Sequence, residues 1–282
     1  MQKSFEVAGP AELEIRLAAG DITVDAGAVS NTVEVELTAH DEESQRLVDD
    51  ATVELREQGG RPQVIVEVPN KRGFNLGQLF GSQGITCRVR CPEGSGLSTK
   101  TKSADVLAHG VLGGLHVQTA SGDVEADRVT GGINVKSASG DLTVREAGDG
   151  VSVQTASGDV DIDLVRGPVS VNSASGDVTI GEAYDNVNVS TVSGDQDHGA
   201  VMRGKVSAHS VSGDVSIGVR RGSKVFLDCN TVSGDTRSEL ELSGDVPAGD
   251  GPLVEVRAKT VSGDISITRA PAPSDSTQGV HA

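Results

Sequence analysis

A short turn motif, Ser-Gly-Asp, recurs along this chain at a nearly fixed spacing. The series begins with the variant Ser-Ala-Asp at Ser103, and its first five intervals are equal. The next three intervals become progressively longer, and the serines that follow Ser103 in the series are Ser121, Ser139, Ser157, Ser175, Ser193, Ser212, Ser233 and Ser262. This fixed period of 18 residues predicts a repeat architecture.

Apolar residues alternate with polar ones on either side of each turn. In one repeat the apolar positions are Val160 and Ile162 after the turn, then Val169 and Val171 after a second, variable turn. Alternation with period two predicts strands that bury one face. Each 18-residue unit is therefore predicted to form one coil of two strands.

The repeated pattern predicts an all-β fold, namely a single-stranded β-helix (β-solenoid). One unit cannot bury its apolar face alone, but stacking units in register closes a continuous core. A meander of hairpins would also alternate turns and strands. The solenoid is favoured because one turn is constant and the other varies, which is typical of turns on opposite edges of a rod. Val153 is predicted to face inward between Val135 and Val171, with Gln154 facing solvent.

The chain before the regular repeats is less uniform. The segment LEIRLAAGDITV keeps the repeat's register, whereas HDEESQRLVDDA predicts one short helix with Asp41 as its N-cap. A Gly-rich loop at 70–84 carries Phe74 and Phe80 and is predicted to form a lid on the end of the solenoid. The predicted division is an irregular β-rich capping half at 1–95, the regular solenoid at 96–269 and a disordered tail at 270–282.

Charge and cysteine content narrow the function classes. The net charge of −17 disfavours nucleic acid and anionic membrane surfaces as partners. The chain has three cysteines, an odd number that does not fit a disulfide framework. Cys87 and Cys91 are predicted to be buried as small apolar side chains, and no cofactor is predicted.

The chain shows no targeting or membrane signal. Its first residues lack the apolar region of a signal peptide, and no run of 18 apolar residues exists. These features predict a cytoplasmic protein without membrane insertion, or a surface protein if a leader precedes the given start.

The repeated V-x-V-x-T/S-x-S-G-D-V-x-V pattern, the degenerate LEIRLAAGDITV and the segment CRVRCPEGSGL together resemble a bacterial family. It is the adhesin-like family of β-strand-repeat proteins of unknown function. The resemblance covers nearly the whole chain to about residue 269, and it implies a fold like a single-stranded β-helix. It does not imply a particular ligand.

The aspartates of the motif have two possible roles. Gly122 and its equivalents are predicted to adopt a positive φ angle, and each Asp to accept backbone N–H groups across its own turn. Alternatively, the stacked carboxylates bind calcium along a ladder formed by Asp123, Asp141, Asp159, Asp177 and Asp195.

Mostly uncharged polar residues occupy the outward positions of the second strand, with Lys136 among them. A flat surface of amides and hydroxyls is suited to an unknown protein or glycan partner. The predicted binding face includes Gln118, Asn134, Gln154, Asn172 and Asn188.

One repeat breaks the apolar rule. In SGDQDHG, Gln196 and His198 stand at positions that are apolar elsewhere. A polar pair in a core needs hydrogen-bond partners or an exit to solvent, so a bulge that turns both outward is expected. The alternative is a binding site made of Asp195, Gln196, Asp197 and His198.

No catalytic constellation emerges from the sequence. The first hypothesis is therefore a non-catalytic structural or interaction protein, adhesin-like in character. The alternatives are a polysaccharide-acting β-helix enzyme and a scaffold that self-associates end to end.

Overall fold

The structure of the protein is a computed structural model. The structure describes residues 1–69, 84–240 and 251–270. Apart from residues 84 and 270, the predicted lid at 70–84 and the predicted tail at 270–282 lie outside these residues.

The described residues form 25 strands and one helix. The first part of the chain contains β1 (Gln2–Glu6), β2 (Glu12–Arg16), β3 (Ala19–Ala26), β4 (Thr32–Ala39), α1 (Glu42–Asp49), β5 (Thr52–Gln58), β6 (Arg61–Glu67) and β7 (Ile85–Cys91). The regular part contains β8 (Gly96–Lys100), β9 (Ser103–Leu112), β10 (Gly114–Gln118), β11 (Val124–Val129), β12 (Ile133–Lys136), β13 (Leu142–Ala147), β14 (Val151–Ser157), β15 (Val160–Val165), β16 (Val169–Ser175), β17 (Val178–Ala183), β18 (Val187–Ser193), β19 (Gln196–Val201), β20 (Gly204–His209) and β21 (Val215–Val219). The last part contains β22 (Lys224–Ser233), β23 (Thr236–Ser238), β24 (Leu253–Ser262) and β25 (Ile265–Arg269).

The strands build two long sheets, one of 13 and one of 12 strands. From β8 to β21 the chain places successive strands alternately in the 12-stranded and the 13-stranded sheet. Two consecutive strands, one in each sheet, are called a coil here. Neighbouring strands in this region run parallel, and Val151 pairs with Val169 as Val160 pairs with Val178, in each case with the equivalent residue of the next repeat. The all-β, solenoid-like prediction is confirmed at this level.

The core lies between the two sheets, where the alternating apolar residues meet. Val153 is 1% exposed and is aligned with Val135 on one side and Val171 on the other. Gln154, the next residue, is exposed. The prediction about these faces is confirmed, and it follows that the repeat fixes the register of the middle coils.

The aspartates of the turn motif connect the coils to each other. Oδ1 of Asp159 accepts the backbone N–H of Asp177, 2.8 Å away in the next coil, and Asp177 does the same for Asp195. The acceptor role was predicted correctly, but the bond crosses from coil to coil rather than across one turn. The same bond recurs at every step of the series Asp105, Asp123, Asp141, Asp159, Asp177, Asp195, Asp214, Asp264 and Asp235.

Glycine is required in this turn because the coils approach closely. A Cβ on Gly176 would lie 2.3 Å from the carbonyl oxygen of Gly158, and φ there is +125°. Gly122 does not have a positive φ, contrary to the prediction, yet a Cβ on it would lie 2.0 Å from the carbonyl oxygen of Ala104. Close packing between coils is therefore the shared reason for glycine, and positive φ holds for only some of the turns.

The order of stacking departs from chain order at both ends. In the 12-stranded sheet β2 lies between β6 and β8, and β24 lies between β20 and β22. The 13-stranded sheet shows the same exchange, since β25 lies between β21 and β23. At the turns, Ser262 accordingly pairs with Ser212 on one side and with Ser233 on the other. The coil of β24 and β25 is thus inserted beneath the coil of β22 and β23, which precedes it in sequence.

The first 95 residues extend both sheets and add elements of their own. Antiparallel pairing attaches β1 to β4 and β5 to β6. The helix α1 begins after Asp41, whose Oδ1 accepts the N–H of Ser44 at 2.7 Å, as predicted for an N-cap. Cys87 and Cys91 are fully buried, as predicted, and burial raises the pKa of the Cys87 thiol to about 12.

Candidate binding surfaces

The outward side of the 12-stranded sheet presents two columns of polar residues, which we call the amide face. They stack because parallel pairing aligns equivalent residues of successive coils. One column contains His116, Asn134, Ser152, Ser170 and Asn188, and the other contains Gln118, Lys136, Gln154, Asn172 and Ser190. All five residues of the predicted binding face therefore lie on one surface, in two columns.

Two grooves interrupt this surface. A groove of about 490 Å³ is lined by Gln154 and Asn172 of the predicted face, with Thr155, Ser173, Ala174, Ser190, Thr191 and Val192. A larger groove of about 620 Å³ lies nearer the N-terminal end and includes Asn134 and His116. Gln118 and Asn188 line neither of them. The two grooves therefore contain three of the five residues of the predicted face.

Glycines form the floor of the larger groove. Gly114 pairs with Gly96, and Gly132 directly precedes Ile133, the partner of Leu115 in the next coil. A Cβ on Gly114 would find only the carbonyl oxygen of Gly132, at an ordinary 3.7 Å, so packing does not require glycine there. Gly114 and Gly132 leave backbone accessible along the groove because they lack side chains, whereas Gly96 is buried against the carboxylate of Glu12. At one end Arg61 Nη1 lies 3.2 Å from Glu12 Oε1. The stacked glycines are the signal by which sequence analysis could have found this groove.

The irregular repeat is folded differently from the expectation. Gln196 and His198 are each 1% exposed, so the bulge that was expected to turn them outward is wrong. Parallel pairing explains this, because Gln196 is held between Val178 and Val215, and the ladder preserves the strand's register. Asp195 and Asp197 point outward and are exposed. The four residues of the alternative site are therefore split between the core and the surface.

The buried polar pair is only partly satisfied. Gln196 Nε2 donates to Thr191 Oγ1 at 2.9 Å and to the backbone oxygen of His209 at 2.8 Å. Gln196 Oε1 and both ring nitrogens of His198 have no hydrogen-bond partner among the described residues. Burial lowers the pKa of His198 to about 4, because a charged imidazole is poorly solvated in the core. The ring is therefore neutral at pH 7.

The aspartates predicted as a calcium ladder lie in line, one in each coil. One oxygen of each, Oδ1, accepts a backbone N–H at 2.8–3.0 Å. Within residues 1–69, 84–240 and 251–270, no three His, Cys, Asp or Glu side chains are grouped as a metal centre would require. Calcium binding by Asp123, Asp141, Asp159, Asp177 and Asp195 remains a prediction.

The only helix of the described residues, α1, has eight residues. No helix in the described part of the chain is long and apolar enough to cross a membrane. The location of the protein in the cell remains a prediction.

Several solved structures are similar to this chain. A candidate adhesin from Bacteroides fragilis is 13% identical over 95% of this chain and 96% of its own, with a TM-score of 0.49. A candidate lipid-binding protein from Parabacteroides distasonis is 15% identical over 94% and 96%, with a TM-score of 0.45. A candidate adhesin from Parabacteroides merdae is 12% identical over 95% and 96%, also with a TM-score of 0.45. Similarities this weak carry no argument about the ligand of this chain.

No curated protein shows significant sequence similarity to the chain. A protein-family model does match: the model of the Toastrack DUF4097 family aligns with residues 11–268. The match covers β2 to β24 and most of β25, and it agrees with the resemblance carried by the Ser-Gly-Asp repeats. The chain belongs to the Toastrack DUF4097 family.

Proposed function

We propose that this protein is a non-catalytic, adhesin-like binding module whose amide face binds an uncharged glycan. The ligand lies along the stacked coils and contacts amide and hydroxyl groups that recur about every 4.8 Å. The two-strand, 18-residue coil is the unit that presents these groups. Both grooves are parts of this one surface.

The observation that carries the proposal is the groove lined by Gln154 and Asn172. Its polar side chains are amides and hydroxyls from three neighbouring coils, and none of the described residues that line it is charged. Such groups donate and accept hydrogen bonds as sugar hydroxyls do. The net charge of −17 repels polyanions, so the charge of the protein favours a neutral ligand over an acidic one.

The grooves do not favour catalysis on a glycan. Glycoside hydrolysis usually requires two carboxyl groups that flank the scissile bond. In the part of the chain that the structure describes, Glu12 is the only carboxylate that lines the larger groove, and no carboxylate lines the smaller one. Binding without turnover is therefore the simpler role for this surface.

The expected affinity of one site is low. Among the described residues, neither groove is lined by Phe, Tyr or Trp, so recognition depends on hydrogen bonds that replace bonds to water and contribute about 1 kcal/mol each. Tight attachment would require several sites to engage together.

An array of neutral and acidic glycans, probed with the labelled full chain, tests the proposal. We expect retention on neutral glycans and loss of that retention in the double variant Gln154→Ala/Asn172→Ala. The matched control is Thr143→Ala/Thr179→Ala, which truncates two exposed residues on the outer side of the 13-stranded sheet. Circular dichroism and thermal melting verify that both variants fold.

Three results would contradict the proposal. They are no retention on any neutral glycan, equal retention of the Gln154→Ala/Asn172→Ala variant, and release of shortened sugars from a bound glycan. Capture of a protein partner that is lost in the same variant would replace the glycan with a protein ligand.

A further inference from the structure

The two ends of the stack differ in how they expose apolar side chains. Eight large apolar residues are exposed in the described chain, and six of them lie toward the C-terminal end, namely Val192, Val211, Phe226, Val232, Leu253 and Val261. Phe226 is 55% exposed and Val232 is 81% exposed, both on β22. An excess of exposed apolar side chains at one end of the stack is typical of an interaction surface.

Among the described residues, the strand β22 is the outermost strand of the 12-stranded sheet at this end, and β24 is its only neighbour in the sheet. Its inward residues Val225, Leu227 and Cys229 are only partly buried. Their partners in β24, which include Val254 and Val256, are 0% exposed. The last core layer of the described chain is therefore open on its outer side.

The opposite end is protected. There β5 is the edge strand of the 12-stranded sheet, it pairs antiparallel with β6, and it carries Glu54, Arg56 and Glu57. Charged side chains on an edge strand oppose pairing with another chain. This difference disfavours a head-to-tail filament, in which the apolar edge of one copy would meet the charged edge of the next.

The free edge of β22 carries a pattern that complements itself. Residues 224–228 read Lys-Val-Phe-Leu-Asp. When two such strands pair antiparallel about Phe226, Lys224 of one lies opposite Asp228 of the other, and Val225 lies opposite Leu227. Residues that are opposite in this register share a face. On the core side an apolar residue therefore meets an apolar residue, and on the outer side a lysine meets an aspartate.

The backbone supports the same register. The N–H of Lys224 donates to the backbone oxygen of Pro252, on the β24 side. Backbone groups alternate in direction along a parallel strand, so those of Val225 and Leu227 point to the free edge. Those residues would form the hydrogen-bonded pairs, and Phe226 would meet Phe226 of the second copy at a closely spaced, non-hydrogen-bonded pair.

We propose that β22 joins two copies of this chain into a twofold-symmetric dimer, antiparallel about Phe226. The pairing covers the open core layer, buries the exposed phenyl ring and places two Lys–Asp pairs across the interface. The two 12-stranded sheets become one continuous sheet, with both amide faces on the same side. This inference does not depend on the nature of the ligand at the amide face.

Sedimentation equilibrium on the full chain and its charge variants tests the pairing. We expect wild-type protein to be a dimer. Lys224→Glu or Asp228→Lys alone should raise the dimer dissociation constant about tenfold, because each places like charges opposite one another twice in the dimer. The double variant Lys224→Glu/Asp228→Lys should restore the wild-type constant, which a folding defect would not do.

A cysteine pair tests the register. Phe226→Cys should give a covalent dimer on mild oxidation, since the two residues face each other. Val232→Cys, on the same strand but far from the proposed axis, is the matched control and should stay monomeric on a non-reducing gel. The wild-type chain, which contains Cys229, sets the background.

Four outcomes would overturn the proposal. They are a monomeric wild-type protein, a mass that grows beyond the dimer, a double charge variant as weak as the single ones, and equal cross-linking of Phe226→Cys and Val232→Cys.

Discussion

Two coils of the same stack place side chains of opposite polarity at the same core positions. In one, Val160 and Ile162 face the core and are almost fully buried. In the other, two coils later, Gln196 and His198 occupy the same positions and are buried to the same extent. The comparison shows that backbone pairing and turn hydrogen bonds with neighbouring coils determine which face of a strand is buried. Polar side chains at these positions are buried with the strand. The polar coil should be the weak layer of the core.

The largest effect is expected from a charge in an apolar layer. Val153→Asp should lower the free energy of unfolding by at least about 4 kcal/mol, because it buries an unpaired carboxylate. Gln154→Asp, one residue on, should change it by no more than about 0.5 kcal/mol. Chemical denaturation of both variants measures the contrast, and a damaging Gln154→Asp with a silent Val153→Asp would refute the assigned faces.

Acid should destabilise the polar coil next most strongly. The unperturbed pKa of histidine is 6.5, and that of His198 in the folded chain is about 4. Between these values the unfolded chain binds more protons, so the contribution of His198 to stability is complete above pH 6.5 and falls by about 3 kcal/mol as the pH approaches 4. Denaturant titrations at several pH values measure the loss. His198→Ile should remove this part of the pH dependence, and an unchanged slope in that variant would assign the acid sensitivity to other groups.

Restoring the apolar pattern should strengthen the weak layer. His198 lies between Ile180 and Ile217 in the ladder. His198→Ile should raise the free energy of unfolding by about 1–2 kcal/mol at pH 7, because it removes two unpartnered polar atoms and adds apolar contacts. The reverse change, Ile180→His, is the control and should destabilise. A loss of stability in His198→Ile would indicate that the imidazole has a partner that stabilises it.

The smallest effect is expected at Gln196. Gln196→Val gains apolar packing against Val178 and Val215, but it removes the donor to Thr191 and His209. These contributions oppose each other, so the net change should be within about 1 kcal/mol. Thermal and chemical unfolding should agree on this near-neutral result. A larger loss would show that the two hydrogen bonds fix the turn rather than only satisfy the side chain.

The sequence predicts the middle of the fold well because the repeat itself encodes the register. Val153 and Gln154 could be assigned to faces from position alone, and the common face of Gln118, Asn134, Gln154, Asn172 and Asn188 follows from the same count. The larger groove on that face was missed because it depends on which positions lack a side chain across neighbouring coils. Gly114 and Gly132 provide that signal only once they are read as a stack.

Two features could not be predicted by counting positions within the repeat. Hydropathy places Gln196 and His198 in solvent, whereas the strands on both sides hold them in the core, and that constraint is not local. The exchange of coils at the C-terminal end is likewise not encoded in the longer intervals from Ser212 to Ser233 and from Ser233 to Ser262, which give the length of the connections and not the order of the layers. Both outcomes depend on the neighbouring strand rather than on the residue itself.

The exchanged coils separate the order of synthesis from the order of assembly. The coil of β22 and β23 leaves the ribosome before the coil of β24 and β25, yet it stacks on top of it. The earlier coil cannot reach its final neighbours until the later one has been made and has inserted beneath it. Growth from one end, which repeat proteins usually permit, is therefore interrupted here. Shortening the chain before residue 253 would remove an internal layer, so the cap formed by β22 and β23 would lose its support.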